Sequence, residues 1–191
     1  MKKIIFYSMT VMMFITTISY GTLAYFSDQK NVHNIITTGG IDIALLEWAN
    51  DEKTIQFPQD GIHNVMPSQK VTKIVEVKNI AKDDAYIRVR VNPIWTLMSN
   101  QVANIDLLSI DFNEQDWIKK DDYYYYISPL KSGEITKPLF NEVHFSKDMD
   151  NLYQNSQLDI DILAQAVQVV NNSDHPLNAR GWPNENVEME D

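Results

Sequence analysis

The four histidines are the side chains of this sequence best suited to binding a metal ion, and their spacing limits what they can do. No HExxH motif sets two of them on one helix face, so a zinc site built on a single helix is excluded. Glu142 and His144 lie two apart in a predicted strand, where they share one face and could supply two ligands. An exposed polar pair is the simpler explanation, so we predict no metal site. The histidines are His33, His63, His144 and His175.

The sequence has no residue pattern typical of nucleophilic catalysis or of nucleotide binding. The chain has no cysteine and no GxSxG, P-loop or glycine-rich dinucleotide motif. Two acidic pairs, Asp83 with Asp84 and Asp121 with Asp122, could do acid–base work, but both fall in predicted turns, where solvation favours acids. We therefore predict that the chain has no catalytic residue and no cofactor.

Arginine and aromatic side chains offer binding chemistry instead. Arg88 and Arg90 share the polar face of one predicted strand, about 7 Å apart, and could hold a carboxylate or phosphate or pair with acids of a neighbouring strand. The tyrosine run 123–126 puts two rings on each face of a strand, and the outer two could contact a partner or a glycan. A surface adhesin is therefore an alternative, although core packing is the simpler explanation for these rings and for Trp95, Trp117 and Trp182.

The N-terminal segment predicts the compartment. Lys2 and Lys3 precede an uncharged apolar stretch, residues 4–18, and small residues follow it. This is the layout of a secretory signal peptide. The alternative is an uncleaved membrane anchor, because residues 4–25 barely reach the ~20 apolar residues that cross a bilayer.

Small side chains mark the predicted cleavage site. Thr22 and Ala24 fit the −3 and −1 positions of a signal-peptidase site, so we predict cleavage before Tyr25. The predicted organisation is a signal peptide at residues 1–24 and a single domain at residues 25–191. We expect the mature chain to be secreted, to the extracellular space or the cell surface.

Composition narrows the range of partners. The formal net charge is −10, and loss of Lys2 and Lys3 with a segment that carries no acid would make it −12. No nucleic-acid partner is expected, because phosphate binding needs a basic surface. An exported chain without cysteine is stabilised by packing and sheet hydrogen bonds, which fits export of the Gram-positive type. From Asn171 onward the chain is polar, ends in acids and is expected to fray, and it shows no sortase motif.

Alternation of apolar and polar residues dominates the rest of the chain. Residues 71–78 and 85–92 both alternate, and the polar link 79–84 between them predicts an antiparallel pair. Residues 41–45 alternate after two adjacent glycines, Gly39 and Gly40, which permit a tight turn. These three segments are predicted strands.

The second half of the chain continues the pattern. Residues 117–127 predict a hairpin with a charged tip at 119–122. Residues 158–169 predict a long strand, although Leu163 and Val167 break the alternation and leave a helical second half open.

Helix is otherwise scarce. The segment 146–154 is the best short candidate, with Ser146 as its cap. Many short strands between turn signals predict an all-β fold, a jelly-roll-like β-sandwich with short helical or loop insertions.

With these segments in place, the chain resembles the TasA/camelysin family of exported proteins, which a SipW-type signal peptidase processes. The resemblance begins with GTLAYFSD at the predicted cut and continues through NVHNIITTGGIDIALLE and KVTKIVEVKNIAKDDAYIRVRV. It extends to DWIKKDDYYYYISPLKSGEITKPLF and LDIDILAQAVQVVNNSDHPLNARGW, so it covers most of the mature chain. The family implies a jelly-roll sandwich that meets the membrane only during export and builds biofilm-matrix or pilus-like fibres. Camelysin-type relatives also imply a cell-surface metalloprotease as the alternative, for which this sequence shows no zinc motif.

The resemblance further implies that subunits join when an N-terminal segment of one adds as a strand to the next. Cleavage would free such an arm, residues 25–38, which ends at Gly39 and Gly40. An extended apolar arm beside an open sheet edge is a candidate for strand addition. We therefore expect self-association into fibres, or association with a related exported subunit. The predicted assembly residues are Tyr25, Phe26, Val32, Ile35 and Ile36.

Overall fold

The structure, a computed structural model, describes residues 35–37, 41–99 and 101–183. Its contacts divide the chain into two units, Met1–Val32 and His33–Asp191, and all the described residues belong to the second unit. No helix among them is both long and apolar enough to span a bilayer.

Several predicted functional residues lie outside the described residues. These are the cleavage residues Thr22, Ala24 and Tyr25 and the arm residues Phe26 and Val32. Their roles stay predictions, as does the signal peptide itself.

Ten strands in the described residues form two sheets, which confirms the all-β sandwich. Three single-turn 3₁₀ helices, Ile105–Leu107, Asn151–Tyr153 and Pro176–Asn178, lie in the connections. A jelly-roll connectivity stays a prediction. The strands are β1 (Ile35–Thr37), β2 (Ile43–Trp48), β3 (Ile62–His63), β4 (Lys70–Asn79), β5 (Ala85–Thr96), β6 (Leu108–Ile110), β7 (Trp117–Lys120), β8 (Tyr123–Tyr126), β9 (Phe140–Phe145) and β10 (Gln157–Gln168).

The larger sheet, called sheet A, has the strand order β1-β10-β5-β8-β7, with β3 also paired to β10. Its centre is the antiparallel pair β5 and β10, in register from Ala85 opposite Gln168 to Thr96 opposite Gln157. β1 is the exception to the antiparallel pattern, because it runs parallel to β10. The smaller sheet, sheet B, has the order β2-β4-β9-β6.

The inner faces of the two sheets meet in one apolar core. Sheet A contributes Ile87, Val89 and Ile162, and sheet B contributes Val77 and Phe140, all without exposed surface. Burying each such side chain contributes about 1.5–3 kcal/mol. Ile87, Val89, Ile162 and Val77 are the inward positions of the predicted alternating segments, whereas Phe140 lies outside those segments.

The predicted pairing of residues 71–78 with 85–92 is wrong. The first segment is part of β4 in sheet B and the second is part of β5 in sheet A, so the two apolar faces meet across the core. The buried Asn79 organises the crossing: its amide nitrogen donates to the carbonyls of Asp83 and Leu130, and its amide oxygen accepts from the Ala81 N–H. A polar link of this length fits a hairpin and a sheet-to-sheet crossing equally well, so alternation alone does not choose between them.

The second half of the chain resolves the alternatives left open by the sequence. The predicted hairpin is confirmed as β7 and β8, with Asp121 in the left-handed region at φ 53°. Residues 157–168 are strand throughout, and Leu163 and Val167 are buried on the outer face of sheet A. The predicted helix 146–154 is only the 3₁₀ turn Asn151–Tyr153, and its N-cap is Asp150 instead of Ser146.

Candidate functional site

Part of the predicted arm lies at an edge of sheet A. The backbones of Ile35, Ile36 and Thr37 pair in parallel with Ala164, Gln165 and Ala166 of β10. On the same side, β3 pairs with residues 157–158 of β10. The stretch of β10 between these two short strands has no strand partner there among the described residues. The arm therefore contributes an added edge strand within its own chain.

A second open edge lies inside the sandwich, on β5. One side of β5 pairs with β10 along the whole strand, whereas the other side pairs with β8 only at Arg88–Arg90. Beyond that point, Thr96 forms an isolated bridge with Val102, and Val91–Trp95 has no strand partner on this side among the described residues. Pro93, which has no N–H to donate, lies within this half-open stretch, a position that strands tolerate.

The half-open stretch of β5 borders a cleft of about 800 Å³ between the two sheets. Phe112 and Tyr124 stack in its wall with ring centroids 4.2 Å apart. The edge strand β6 forms the opposite side through Leu108 and Ile110, which are only partly buried. The cleft thus has both apolar and polar lining residues and is bordered by a strand edge. We call it the inter-sheet cleft, and its apolar lining consists of Val91, Pro93, Ile105, Leu108, Ile110, Phe112 and Tyr124.

Charged groups surround the mouth of the inter-sheet cleft. Asp106, Asp121 and Asp122 supply three carboxylates, against the two cationic side chains of Arg90 and Lys119. The Lys119 Nζ lies 5.6 Å from the centre of the Tyr124 ring. Burial, and secondarily the Glu114 carboxylate, raises the pKa of Tyr124, so this hydroxyl remains protonated. The acidic side chains favour an occupant that carries a positive charge.

The predicted pair Glu142 and His144 lies on one face of β9 and is in direct contact. His144 Nε2 is 2.7 Å from Glu142 Oε2, and Lys70 Nζ approaches the same oxygen at 3.5 Å. The hydrogen bond with His144, followed by the charge of Lys70, lowers the pKa of Glu142. In the part of the chain that the structure describes, no three His, Cys, Asp or Glu side chains converge to hold a metal ion.

Arg88, which the sequence suggested as a ligand for an anion or a partner for acids of a neighbouring strand, contacts neutral groups. Its guanidinium carbon lies 3.9 Å from the Tyr123 ring centre and 4.7 Å from that of Trp182. Its Nε donates to Gln165 Oε1 at 2.7 Å. The outer tyrosines, Tyr123 and Tyr125, are accordingly buried by the chain itself. This aromatic cluster around Arg88 was not predicted, because Trp182 lies in a polar segment expected to fray.

The tryptophans considered as possible glycan contacts are likewise engaged within the protein. Trp95 and Trp117 are buried in the core, where the Trp95 Nε1 donates to Ser156 Oγ and the Trp117 Nε1 donates to the Lys137 carbonyl. Two of the three rings are thus unavailable to a sugar, and the third is Trp182, which stacks on Arg88.

A buried ion pair in sheet B also escaped the sequence analysis. Lys73 of β4 and Glu47 of β2 are in contact, and their side chains are only 3% and 8% exposed. The ring of Phe57 lies 3.8 Å from the ammonium nitrogen. Burial lowers the pKa of Lys73, and the charge of Glu47 opposes that shift. Lys73 lies in the stretch of β4 where the register with β9 shifts, between Thr72 and Val75.

Comparison with known proteins adds no relative. No family model matches the chain, and no curated protein or solved structure matches it significantly.

Proposed function

We propose that this chain is a secreted structural subunit of extracellular biofilm-matrix or pilus-like fibres, in which the N-terminal arm of one copy adds as a strand to the next. The observation that carries the proposal is the parallel pairing of β1 with β10, because part of the predicted arm already lies as an added strand at a sheet edge. An edge strand of three residues makes few hydrogen bonds, each contributing about 0.5–1.5 kcal/mol, so the arm can exchange.

The inter-sheet cleft is the acceptor in this proposal. An incoming strand would pair with the half-open side of β5 and lay alternate side chains against Val91, Ile110 and Phe112. The arm supplies Tyr25, Phe26 and Val32 for this purpose. Ten extended residues, 25–34, span up to roughly 33–36 Å, enough to reach into a neighbouring copy.

Charge supports the same assignment. Cleavage before Tyr25 would create a new α-amino group, which is mostly protonated at neutral pH because its pKa is about 7.7–8.0. The cleft offers the three carboxylates of Asp106, Asp121 and Asp122, one more charge than Arg90 and Lys119 balance. Processing by a SipW-type signal peptidase would therefore both free the arm and give it the charge that the cleft favours.

The resemblance to the TasA/camelysin family supports the fibre role over the alternatives. The strong negative charge of the chain argues against a nucleic-acid partner, because phosphate binding needs a basic surface. In this proposal the chain is secreted and meets the membrane only during export. The aromatic residues that motivated the adhesin alternative are mainly engaged inside the protein.

The direct test is electron microscopy of the purified chain that begins at Tyr25. We expect filaments from this form and none from the chain that retains residues 1–24. A Tyr25 form that remains folded by circular dichroism and monomeric under all conditions would contradict the proposal.

A matched pair of variants tests the acceptor separately. Ile110→Lys places a charge inside the cleft, whereas Ser109→Lys places the same charge on the neighbouring exposed position of β6. We expect Ile110→Lys to stop filament growth and Ser109→Lys to leave it unchanged. If both variants form filaments, the acceptor lies elsewhere, although the subunit role would stand.

A further inference from the structure

The outer face of sheet A is unusually apolar and unusually well covered. In a two-sheet sandwich the outer face normally meets water and carries polar side chains. Here five large side chains on β5, β8 and β10 are each at most 7% exposed. We call this surface the outer aromatic face, and its buried residues are Tyr86, Tyr123, Tyr125, Leu163 and Val167.

Residues 171–183, called the strap, cover this face. The Tyr86 hydroxyl donates to the Ser173 carbonyl at 2.8 Å, and Arg88 Nη2 donates to the Pro183 carbonyl at 3.3 Å. The Trp182 ring packs edge-on against Tyr125 with centroids 5.7 Å apart. Burial, and secondarily the Asp174 carboxylate, raises the pKa of Tyr86, which keeps its hydroxyl a donor.

Arg88 is the centre of the seat for the strap. Its guanidinium lies between the rings of Tyr123 and Trp182, and its Nη1 donates to the Tyr125 hydroxyl at 3.3 Å. Such a stack is worth about 2 kcal/mol when desolvated. Gln165 accepts from Arg88 but has a buried Nε2 for which the described residues supply no hydrogen-bond partner. A buried, unpaired donor costs about 1–3 kcal/mol, so the strap fills its seat imperfectly.

The strap is a self-contained unit and not a strand of sheet A. The Asn172 side chain closes it, donating to the carbonyls of Gln168 and Arg180 and accepting from the N–H groups of Ser173 and Arg180. The chain enters it at Asn171, which has a left-handed φ of 60°. Since the sheet holds the strap through the side chains of Tyr86, Arg88 and Tyr125, it can leave without opening the β ladder.

We propose that the outer aromatic face is a docking site for the strap of a second copy, filled in this structure by the strap of the same chain. The partner chemistry is a tryptophan ring over the Arg88 guanidinium, together with carbonyls that accept from Tyr86 and Arg88. Exchange of a segment between copies preserves every contact, so it is a low-cost route to association. This contact is independent of the N-terminal arm and lies on a different surface from the inter-sheet cleft.

Two complementary full-length variants beginning at Tyr25 test the exchange. Trp182→Ala weakens the strap but keeps the seat, and Arg88→Ala weakens the seat but keeps the strap. Any filaments are removed by centrifugation, and the two variants are mixed and analysed by native mass spectrometry and titration calorimetry. We expect a 1:1 heterodimer with a Kd at least about tenfold lower than that for self-association of either variant.

The controls keep every outcome informative. Arg88→Lys retains the charge without the planar stack, and it replaces Arg88→Ala if that variant does not fold. Trp182→Phe retains an aromatic ring, so its strap should still fill the seat of its own chain. Used in place of Trp182→Ala, it should therefore form a weaker heterodimer. A mixture that remains monomeric, while both variants show the circular dichroism of the unmodified chain, overturns the proposal.

Discussion

β1 and the strap both lie against sheet A, but different interactions hold them. β1 is joined to β10 through backbone pairing, to which any residue except proline can contribute. The strap is joined through particular side chains, above all Trp182 on Arg88. The arm can therefore pair with a suitable strand edge whatever most of its side chains are. The strap, in contrast, binds only a surface that carries the matching side chains. The predictions below test this contrast.

The largest expected effect is on the pairing of β1 with β10. Because the N–H groups of a strand alternate in direction, either Ile36 or its neighbours Ile35 and Thr37 direct their N–H toward β10. We expect proline to release β1 from β10 at one parity and to have little effect at the other, as seen by hydrogen exchange of β10 in Ile35→Pro and Ile36→Pro. Equal effects at both positions would argue against a backbone ladder.

The next largest effect is expected on the stability of the fold, at the buried ion pair of Lys73 and Glu47. Lys73→Met removes the ammonium group that contacts the buried carboxylate of Glu47 and should cost about 3–5 kcal/mol in the free energy of unfolding. The double variant Lys73→Met with Glu47→Leu should restore stability to within about 1 kcal/mol of the unmodified chain, or exceed it. Urea unfolding of the unmodified chain, the single variant and the double variant measures this, and an equally unstable double variant would contradict it.

The strap should respond to side-chain loss while β1 does not. Trp182→Ala removes the ring over Arg88 and should weaken strap docking by roughly 1–2 kcal/mol. Limited proteolysis should then cut the 171–183 segment faster, whereas hydrogen exchange in β10 should stay unchanged. Unaltered proteolysis would mean that the ring does not hold the strap.

The smallest effect concerns the exposed triplet of Lys70, Glu142 and His144. The pKa of Glu142 is lowered in the folded chain, so its contribution to stability is present above the pKa of the unfolded carboxyl and is lost as pH falls through the folded pKa. The unmodified chain should therefore lose slightly more stability on acidification than Glu142→Gln. Thermal melts of both chains across this pH range check the sign, and parallel curves would contradict it.

Local pattern predicted the longer strands and the β7–β8 hairpin, but not how the strands are divided between the two sheets. Alternation at residues 85–92 and 71–78 identified β5 and β4 because apolar residues recur at every second position of each segment. It could not show that they lie in different sheets, since both arrangements bury the same valines. The strap was missed for a related reason: residues 171–183 are polar in sequence, and only the fold reveals that Trp182 meets Arg88.

The sequence predicted which residues form the assembly arm better than it predicted where the arm would bind. Apolar residues after a small-residue cut indicated an arm, and β1 agrees with its C-terminal part being strand. The half-open side of β5 and the cleft beside it depend on where β8 ends, which follows from long-range pairing. The Lys73 and Glu47 pair depends on the pairing of β2 with β4, which local alternation does not reveal.

The most direct test of strand addition between copies uses the absence of cysteine from the chain. Two isotopically distinct forms beginning at Tyr25, one with Phe26→Cys in the arm and one with Ile110→Cys in the inter-sheet cleft, would be assembled together and oxidised. The account predicts a disulfide that joins a heavy to a light chain at these two positions, found by mass spectrometry of the filaments. Filaments without this intermolecular disulfide would contradict it.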